Sequence, residues 1–329
     1  MVEVIEQAEG ENWKIWCGDC VDITRGLPDD RIGFTIFSPP FESLYTFSDS
    51  ARDMSNCHDS AIFWAHFQFL IKELYRATVP GRLCAVHCMD LPTSKLRDGF
   101  IGLRDFPGEV CRAYQAEGWI YHSKICIRKD PVSAMQRSKS IGLLHKQMVK
   151  DSTISRMAVA DYVVIMRKPG DNPEPVAGPF DCYYGSETTL EGPLVTETGK
   201  QRSTNYPGEA WYSVAVWQRY AEPVWLDINQ SDVLTHRVAR QEADERHISP
   251  LQLTVIRRCV DLWSNPGDIV YSPFAGIGSE LYCAVEMGRK AVGAELKLSY
   301  YEQAVANLKS LATKPKTASL FAEPMEAAK

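Results

Sequence analysis

The chain has 329 residues, of which 45% are hydrophobic and 24% are charged, so it is long enough to bury a large core and has an ordinary globular composition. Its net charge of -6 excludes a uniformly basic nucleic-acid binder, although a mean charge conceals local patches. No apolar run approaches the ~20 residues that span a bilayer, and the first residues lack the order of a secretory signal, so we expect a cytoplasmic protein with no membrane partner.

The first predicted elements are a short strand and a weak helix. The strand covers 13–17, and Gly18-Asp19-Cys20 follows it, which puts Asp19 at the carboxyl end of a strand. Cys17 and Cys20 form one C-x-x-C pair, but zinc sites usually need a second pair at matched spacing, and 84–88 offers only a loose one. We therefore expect reduced thiols in the core and no metal.

The second strand, over 34–37, stops at Ser38-Pro39-Pro40-Phe41, here called the SPPF loop. Proline has no N–H group to donate to a sheet, so the two prolines end the strand and leave the carbonyls of Ser38 and Pro39 to accept other hydrogen bonds. Such acceptors beside an aromatic ring suit a flat ligand that carries an amino group. The polar residues 48–53 show no period, and we expect a loop that closes over a ligand.

Helices and strands alternate in the next part of the chain. Apolar spacing and glycine or proline stops predict helices over 63–75 and 107–117 and strands over 83–89, 119–127 and 162–166. Strand, helix and strand in series predict a parallel α/β sheet.

A basic segment lies between the last two of these strands. Only Asp130 and Asp151 oppose its cations, which are Lys124, Arg128, Lys129, Arg137, Lys139, Lys146, Lys150 and Arg156. A charge run is most often a solvated face, but this one is interspersed with Ser, Gln, Met and His145. Its composition alone does not decide between a solvated face and contact with a nucleic acid.

Residues 171–245 are rich in Pro, Gly, Glu and Thr and then in aromatic residues. This composition predicts a loop-rich insertion that docks on the core through its tryptophans.

A glycine loop stands between a strand and a helix near the end of the chain. A helix over 251–262 and a strand over 268–271 lead into Phe274-Ala275-Gly276-Ile-Gly278-Ser279, where glycines let the backbone come close to a ligand at a helix N-terminus. The next strand ends at Glu295, whose two oxygens could accept from two ribose hydroxyls. A nucleoside-like cofactor is expected there. A nicotinamide cofactor is the rival, against which Leu281 replaces the third glycine of G-x-G-x-x-G.

These residues together resemble one known family. The SPPF loop resembles the S/D-P-P-Y/F loop of S-adenosylmethionine-dependent DNA amino-methyltransferases, and residues 272–278 resemble their F-x-G-x-G cofactor loop. The order of the two loops, with the basic segment between them, is similar to the β-class. Residues 139–146 and 244–253 are similar to phage- and prophage-borne members, so the resemblance covers roughly 13–312.

The resemblance implies a fold and an organisation of the chain. The fold would be an α/β, doubly wound, Rossmann-like methyltransferase sheet that is circularly permuted and carries an inserted target-recognition region. The segments would be a catalytic half over 13–130, a basic DNA-contacting insertion over 131–160, a core strand over 161–170, the aromatic insertion over 171–245, a cofactor half over 246–312 and a flexible tail over 313–329.

Site residues follow by the same resemblance. Those implied as catalytic are Ser38, Pro39, Pro40 and Phe41. Those implied to bind S-adenosyl-L-methionine are Asp19, His247, Pro250, Phe274, Ala275, Gly276, Gly278, Ser279 and Glu295. Those implied to contact DNA are Arg128, Lys129, Arg137, Lys139, His145 and Lys146. Two departures stand out, because the frequent D-P-F before the glycines is S-P-F here and the frequent catalytic Asp is Ser38.

The implied activity is site-specific methylation of an exocyclic amine on a base that is flipped out of double-stranded DNA. In the resembling family Ser at the first loop position goes more often with N4-cytosine and Asp with N6-adenine, so cytosine is favoured and N6-adenine is the alternative. Methylation of RNA or of a protein amide, and an inactive DNA-binding homologue, are further alternatives. The recognition sequence, a homodimer and pairing with a restriction enzyme are left open.

Overall fold

The computed structural model describes residues 4–41, 54, 60–93, 95–132, 145–154, 158–176, 219–234 and 250–313. Most of the described strands join one nine-stranded sheet. The strands are β1 (Val4–Gly10), β2 (Trp13–Gly18), β3 (Ile32–Phe37), β4 (Thr78–Met89), β5 (Leu91–Pro92), β6 (Leu103–Arg104), β7 (Ile120–Ile127), β8 (Asp161–Arg167), β9 (Val224–Trp225), β10 (Ile269–Ser272) and β11 (Lys290–Glu295). The helices are α1 (Cys20–Arg25), α2 (Ser60–Ala77), α3 (Lys95–Asp98), α4 (Phe106–Ala116), α5 (His145–Lys150), α6 (Leu253–Trp263), α7 (Ser279–Glu286) and α8 (Leu298–Thr313).

The large sheet has the order β1-β2-β11-β10-β3-β4-β8-β7-β9, and β5 and β6 pair separately. The five strands from β2 to β4 in this order are parallel. At one end β1 runs antiparallel to β2, and at the other β8 runs antiparallel to both β4 and β7. The prediction of an α/β fold with a doubly wound sheet is confirmed, and the sheet is mostly parallel.

The direction of β8 corrects one prediction. The strand expected over 162–166 exists, but it does not continue a parallel series, because it lies between β4 and β7 and opposes both. A strand that is covered on both faces is apolar in either direction, so its near-continuous apolar run reports burial and not orientation. The sequence pattern also contained no signal for β1, whose residues are almost all exposed.

Helices cover both faces of the sheet. One core cluster joins α6, α7 and α8 to one face, and the other joins α1, α2 and α4 to the opposite face. In β3, at the centre, every residue is buried. This double cover explains the largely apolar run that precedes the SPPF loop.

The predicted insertion over 171–245 is described only at 171–176 and 219–234. Trp225 is buried there in the first core cluster, and β9 pairs with β7, so this part docks through a tryptophan as predicted. Trp211 and Trp217 lie outside the described residues.

The cysteines of the C-x-x-C pair and of β4 are buried, which confirms the prediction of core thiols. Burial raises the pKa of the Cys17 thiol to about 11, and the charge of Glu295 adds to the shift. Within the described ranges no group of three His, Cys, Asp or Glu side chains could hold a metal ion. No helix in the same ranges has the length and apolarity to cross a membrane.

Candidate active site

The predicted loops meet at one edge of the sheet. Because β2, β11, β10, β3 and β4 are parallel neighbours, their carboxyl ends lie side by side. The antiparallel β8 brings its amino end to the same edge, where Asp161 pairs with Met89. Ligands of open α/β sheets bind at this edge, outside the carboxyl ends of the strands.

The SPPF loop leaves the sheet directly after β3. Pro39 and Pro40 are buried, whereas Ser38 and Phe41 are half-buried. The Phe41 ring packs edge-on against Phe106, with ring centroids 6.0 Å apart. Two buried prolines and an aromatic contact hold the loop in place beneath its polar groups.

An aromatic contact connects this loop to the glycine loop. Phe37, the last residue of β3, lies with its ring centroid 5.6 Å from that of Phe274. Phe37 is fully buried, so the contact is part of the core. The two predicted loops are therefore neighbours across β3 and β10.

Ser38 begins a chain of polar side chains that sequence reasoning did not find. Its Oγ lies 2.8 Å from Nδ1 of His87 on β4. Nε2 of His87 lies 3.3 Å from Oδ2 of Asp161, the first residue of β8. Nζ of Lys129 lies 2.5 Å from the same carboxylate oxygen.

This chain is largely inside the protein. His87 is 9% exposed and Asp161 is 2% exposed. Burial alone would raise the pKa of Asp161, but the hydrogen bond and charge of His87 and the charge of Lys129 outweigh it, so the pKa is lowered. Asp161 is thus a buried carboxylate. At 3.3 Å the contact between Nε2 and the carboxylate is electrostatic, since Nε2 does not meet strict hydrogen-bond geometry.

The sequence did hold a signal for both residues. His87 interrupts the apolar run of β4, and Asp161 precedes the apolar run of β8. A polar residue in a strand covered on both faces needs a buried partner. Which partner it has could not be read, because the four side chains come from distant parts of the chain.

The glycine loop turns tightly between β10 and α7. Gly276 and Gly278 both have positive φ, at 52° and 85°, which suits glycine alone. Gly278 N donates to Ala275 O at 2.7 Å, and Ala275 N donates to Ala294 O at 2.8 Å. A Cβ on Gly278 would lie 3.1 Å from that of Ala304, whereas one on Gly276 would meet no atom within 4 Å.

Glu295 is fixed against this loop. Its Oε2 accepts from Gly276 N at 2.7 Å, and its Oε1 accepts from Lys297 N at 2.9 Å. The predicted position at the end of a strand is confirmed. Two backbone N–H groups therefore orient the carboxylate at the edge of the sheet.

Buried polar groups cluster around the glycine loop. The hydroxyls of Ser272 and Ser279 are buried and have no hydrogen-bond partner among the described residues. Glu280, which the sequence reasoning passed over, is also buried. Burial raises the pKa of its carboxyl to about 8, a hydrogen bond from its own backbone opposes the shift, and the charge of Glu295 adds to it.

Asp19 stands just past the end of β2, as predicted. Cys17 pairs with Glu295 in the sheet, so Asp19 lies near the same edge. Its Oδ1 accepts from Val21 N at 2.9 Å and Asp22 N at 3.0 Å, which makes it the N-cap of α1. Asp19 therefore has a capping role in addition to any contact with a ligand.

The remaining predicted cofactor residues are less well placed. Pro250 is half-buried just before α6, and His247 lies outside the described residues. The segment 219–234 reaches the glycine loop through Leu234, which packs against Ile277 and Tyr300.

The predicted DNA-contacting residues divide into three groups. Arg128, His145 and Lys146 are exposed, and Arg137 and Lys139 lie outside the described residues. Lys129 instead points to Asp161, so its charge is used within the site.

Comparisons with known proteins identify a family and similar folds. A family model described as DNA methylase matches residues 32–306. TTHA0409 from Thermus thermophilus, which carries the name DNA modification methylase and was solved with S-adenosyl-L-methionine, is 18% identical and superposes with a TM-score of 0.58 over 89% of this chain and 93% of that one. The PvuII DNA methyltransferase, a cytosine-N4-specific enzyme, is 12% identical, with a TM-score of 0.56 over 93% and 90%.

At these identities the structural likeness shows the fold alone. A search of curated proteins finds no match. The family model, however, covers most of the chain and includes the SPPF loop, the glycine loop and Glu295. The protein therefore belongs to the N6/N4 DNA methylase family.

Proposed function

We propose that this DNA methylase transfers a methyl group from S-adenosyl-L-methionine to the exocyclic N4 amine of a cytosine that is flipped out of duplex DNA. The observation that carries the choice of amine chemistry is the SPPF loop, with Ser38 Oγ held at the carboxyl edge of the sheet by His87.

S-Adenosyl-L-methionine fits the groups around the glycine loop. The space next to Gly276 is open, and the buried hydroxyls of Ser272 and Ser279 have no partner among the described residues. When bound, the cofactor supplies an electrophilic methyl group. Residues 274–279 would hold its methionine part, and Glu295 would accept from its ribose hydroxyls.

Three further cofactor contacts are part of the proposal. Asp19 would lie at the adenine side of the cofactor, near Glu295 at the end of the adjacent strand. His247 and Pro250 would cover its amino-acid end.

The chemistry at the SPPF loop follows from the nature of the amine. The lone pair of an exocyclic amine is delocalised into the ring, so the nitrogen is a poor nucleophile until acceptors bind its N–H groups and favour sp³ geometry. Ser38 Oγ and the Pro39 carbonyl are suitable acceptors. Phe41 would stack on the extruded base, and stacking of this kind contributes ~1–3 kcal/mol. The remaining acceleration comes from alignment of nitrogen and methyl group.

The preference for cytosine rests on Ser38. In the resembling family Ser at this position accompanies N4-cytosine more often than N6-adenine, for which Asp is more frequent. N6-Adenine methylation of DNA is therefore the second candidate.

The DNA surface is proposed from the exposed cations. Arg128, His145 and Lys146 on the described surface, with Arg137 and Lys139, would contact phosphates, which position the duplex without reading its sequence. The chain order also fits a permuted arrangement, since β10 comes late in the chain yet lies beside β3 at the centre of the sheet.

Nucleoside mass spectrometry of treated duplex DNA tests the proposal. We expect N4-methylcytosine with the wild type and with Ser310→Ala, whose exposed hydroxyl donates to the Asn307 carbonyl within α8, and its loss with Ser38→Ala. N6-Methyladenine in place of N4-methylcytosine would refute the choice of base. Equal methylation of transfer RNA would refute the choice of DNA.

A further inference from the structure

The polar side chains behind Ser38 determine which way its hydroxyl points. Asp161 is a carboxylate and lies 3.3 Å from Nε2 of His87, so an imidazole with a single ring proton keeps that proton on Nε2. Nδ1 then carries a lone pair and accepts the proton of the Ser38 hydroxyl, 2.8 Å away. Ser38 Oγ is left to face a ligand with lone pairs alone.

We propose that His87, oriented by Asp161, is a positioning residue that makes Ser38 a pure hydrogen-bond acceptor for the amine and receives, through Ser38, the proton that the amine loses. This inference rests on the proposed methyl transfer. It adds a fixed polarity for Ser38 and a destination for the proton.

The proton balance requires such a destination. When the carbon–nitrogen bond forms and the carbon–sulfur bond of the donor breaks, the sulfur leaves as a neutral thioether and the nitrogen carries one proton too many. An N–H bond of the amine breaks, its proton moves to Ser38 Oγ, and the hydroxyl proton of Ser38 moves to Nδ1 of His87. The resulting imidazolium is stabilised by the Asp161 carboxylate.

The charges around His87 suit this role. Among the described residues, Asp161 on β8 and Lys129 after β7 are the charged groups that meet at this point. Asp90 follows β4 itself, and β3 contains no ionisable residue. Lys129 balances the charge of Asp161 while His87 is neutral. The three side chains of His87, Asp161 and Lys129 together therefore bear a net positive charge only after proton transfer.

The helix α6, which packs beside β4, does not compete for His87. It begins with the uncharged residues 253–256. Its first two charges are engaged elsewhere, because Arg257 pairs with Glu286 and Arg258 pairs with Asp227.

The helix α4 packs against β4 as well, and its charged side chains also have other partners. Glu109 pairs with Arg104, and Arg112 pairs with Asp105.

Nitrogen NMR of the histidine side chains tests the hydroxyl orientation without any turnover. In the full chain at neutral pH we expect His87 as the Nε2–H tautomer, assigned by the signals that disappear in His87→Asn. Protonation on Nδ1 instead would overturn the proposal, because Ser38 would then be held as an acceptor by His87 and could donate to the base.

Single-turnover methyl transfer across pH tests the proton destination. Asn places an amide oxygen near the position of Nδ1, so His87→Asn can still accept from Ser38 but cannot take a proton. General-base catalysis contributes about 10²–10⁴-fold, so we expect a rate loss of about 10²-fold or more, an unchanged cofactor affinity, and loss of the fall in rate toward acid pH. His87→Leu should be slower still.

Two controls separate the outcomes. His122→Asn alters an exposed histidine that also contacts a serine, Ser123 at 3.0 Å, and should behave as wild type. Asp161→Asn should shift the tautomer of His87. This measurement tests the proposal even if His87→Leu fails to fold. An unchanged rate and pH profile in His87→Asn would refute the role of His87, whereas a wild type that methylates no DNA would refute the proposed function.

Discussion

Ser38 has a different environment from that of a typical exposed loop serine. A lone hydroxyl can donate or accept, so a serine in the SPPF loop does not by itself define what the loop recognises. The buried pair of His87 and Asp161 removes that ambiguity. An acidic residue at position 38 would need no such support, because a carboxylate is already an acceptor.

Phe41 and Glu295 should fail in different ways when each is truncated. Phe41→Ala should keep cofactor affinity and slow single-turnover transfer by roughly 5- to 150-fold, the equivalent of ~1–3 kcal/mol of lost stacking. Glu295→Ala should weaken cofactor binding by roughly 10-fold or more, because hydrogen bonds to charged groups contribute about 1.5–3 kcal/mol. Calorimetry beside single-turnover rates measures both.

Matched substitutions provide the comparison. Phe69→Ala removes an exposed ring from α2, and Glu302→Gln alters an exposed carboxylate on α8; neither should change either measurement. Equal losses of affinity and rate in Phe41→Ala and Glu295→Ala would contradict the separate roles.

Glu280 should make the stability of the protein decrease as pH rises. Its pKa is raised to about 8 by burial, from an ordinary value of 4.5. Between these values the folded state holds a proton that the unfolded state has lost, so the free energy of unfolding decreases as pH rises, by at most about 1.4 kcal/mol per pH unit. Glu280→Gln should flatten the dependence of the melting temperature on pH from 5 to 8.

Glu302→Gln should leave that dependence unchanged. A melting temperature that falls from pH 5 to 8 by the same amount in the wild type and in Glu280→Gln would show that Glu280 is not the titrating group.

At the scale of elements, the sequence predicted the features that depend on residues close together in the chain. The SPPF loop and the glycine loop each follow a strand directly and Glu295 ends one, so their places at the edge could be inferred from the pattern alone. The Ser38–His87–Asp161 chain joins three strands, and β8 is far along the sequence from β3. Neither its direction nor its position beside β4 is encoded in its apolar run, which reports only burial.

The exposed cations after β7 and on α5 should contribute to the salt dependence of DNA binding. Replacing Arg128 or Lys146 with Ala should weaken binding and reduce the slope of log K against log salt by about 0.9 for each lost phosphate contact. Fluorescence anisotropy with a duplex at several salt concentrations measures the slope.

Lys290→Ala removes an exposed cation at the opposite edge of the sheet, where β11 begins, and should leave the slope as in the wild type. If the salt slopes of Arg128→Ala and Lys146→Ala equal that of Lys290→Ala, the duplex binds another face.

At the scale of the whole molecule, early and late parts of the chain form one sheet. β10 and β11 come from the last fifth of the chain and lie between β2 and β3 from its beginning. The sequence pattern predicted a parallel α/β sheet, and the family resemblance implied that the sheet is doubly wound. It could not predict which strands are neighbours, because pairing between distant segments depends on packing that no local period records.

A buried ion pair joins the two parts at the edge opposite the site. Arg82 near the start of β4 lies 2.9 Å from Asp268 just before β10, and both are largely buried. Arg82→Leu would leave a buried carboxylate without this partner, which costs about 3–5 kcal/mol. Thermal unfolding should show a large loss of stability, while cofactor affinity of the folded protein should stay unchanged.

The exposed pair of Arg112 and Asp105, 3.7 Å apart, is the comparison. Arg112→Leu should cost less than ~1 kcal/mol. Equal losses in the two variants would mean that the Arg82–Asp268 pair does not hold the two parts together.

The contact between Phe37 and Phe274 has a thermodynamic consequence. One ring ends the strand that carries the SPPF loop, and the other begins the glycine loop. Interiors are close-packed, so a shift of one ring displaces the other. The methyl donor and the DNA base should therefore bind as linked ligands, and by reciprocity each should change the affinity of the other by the same factor.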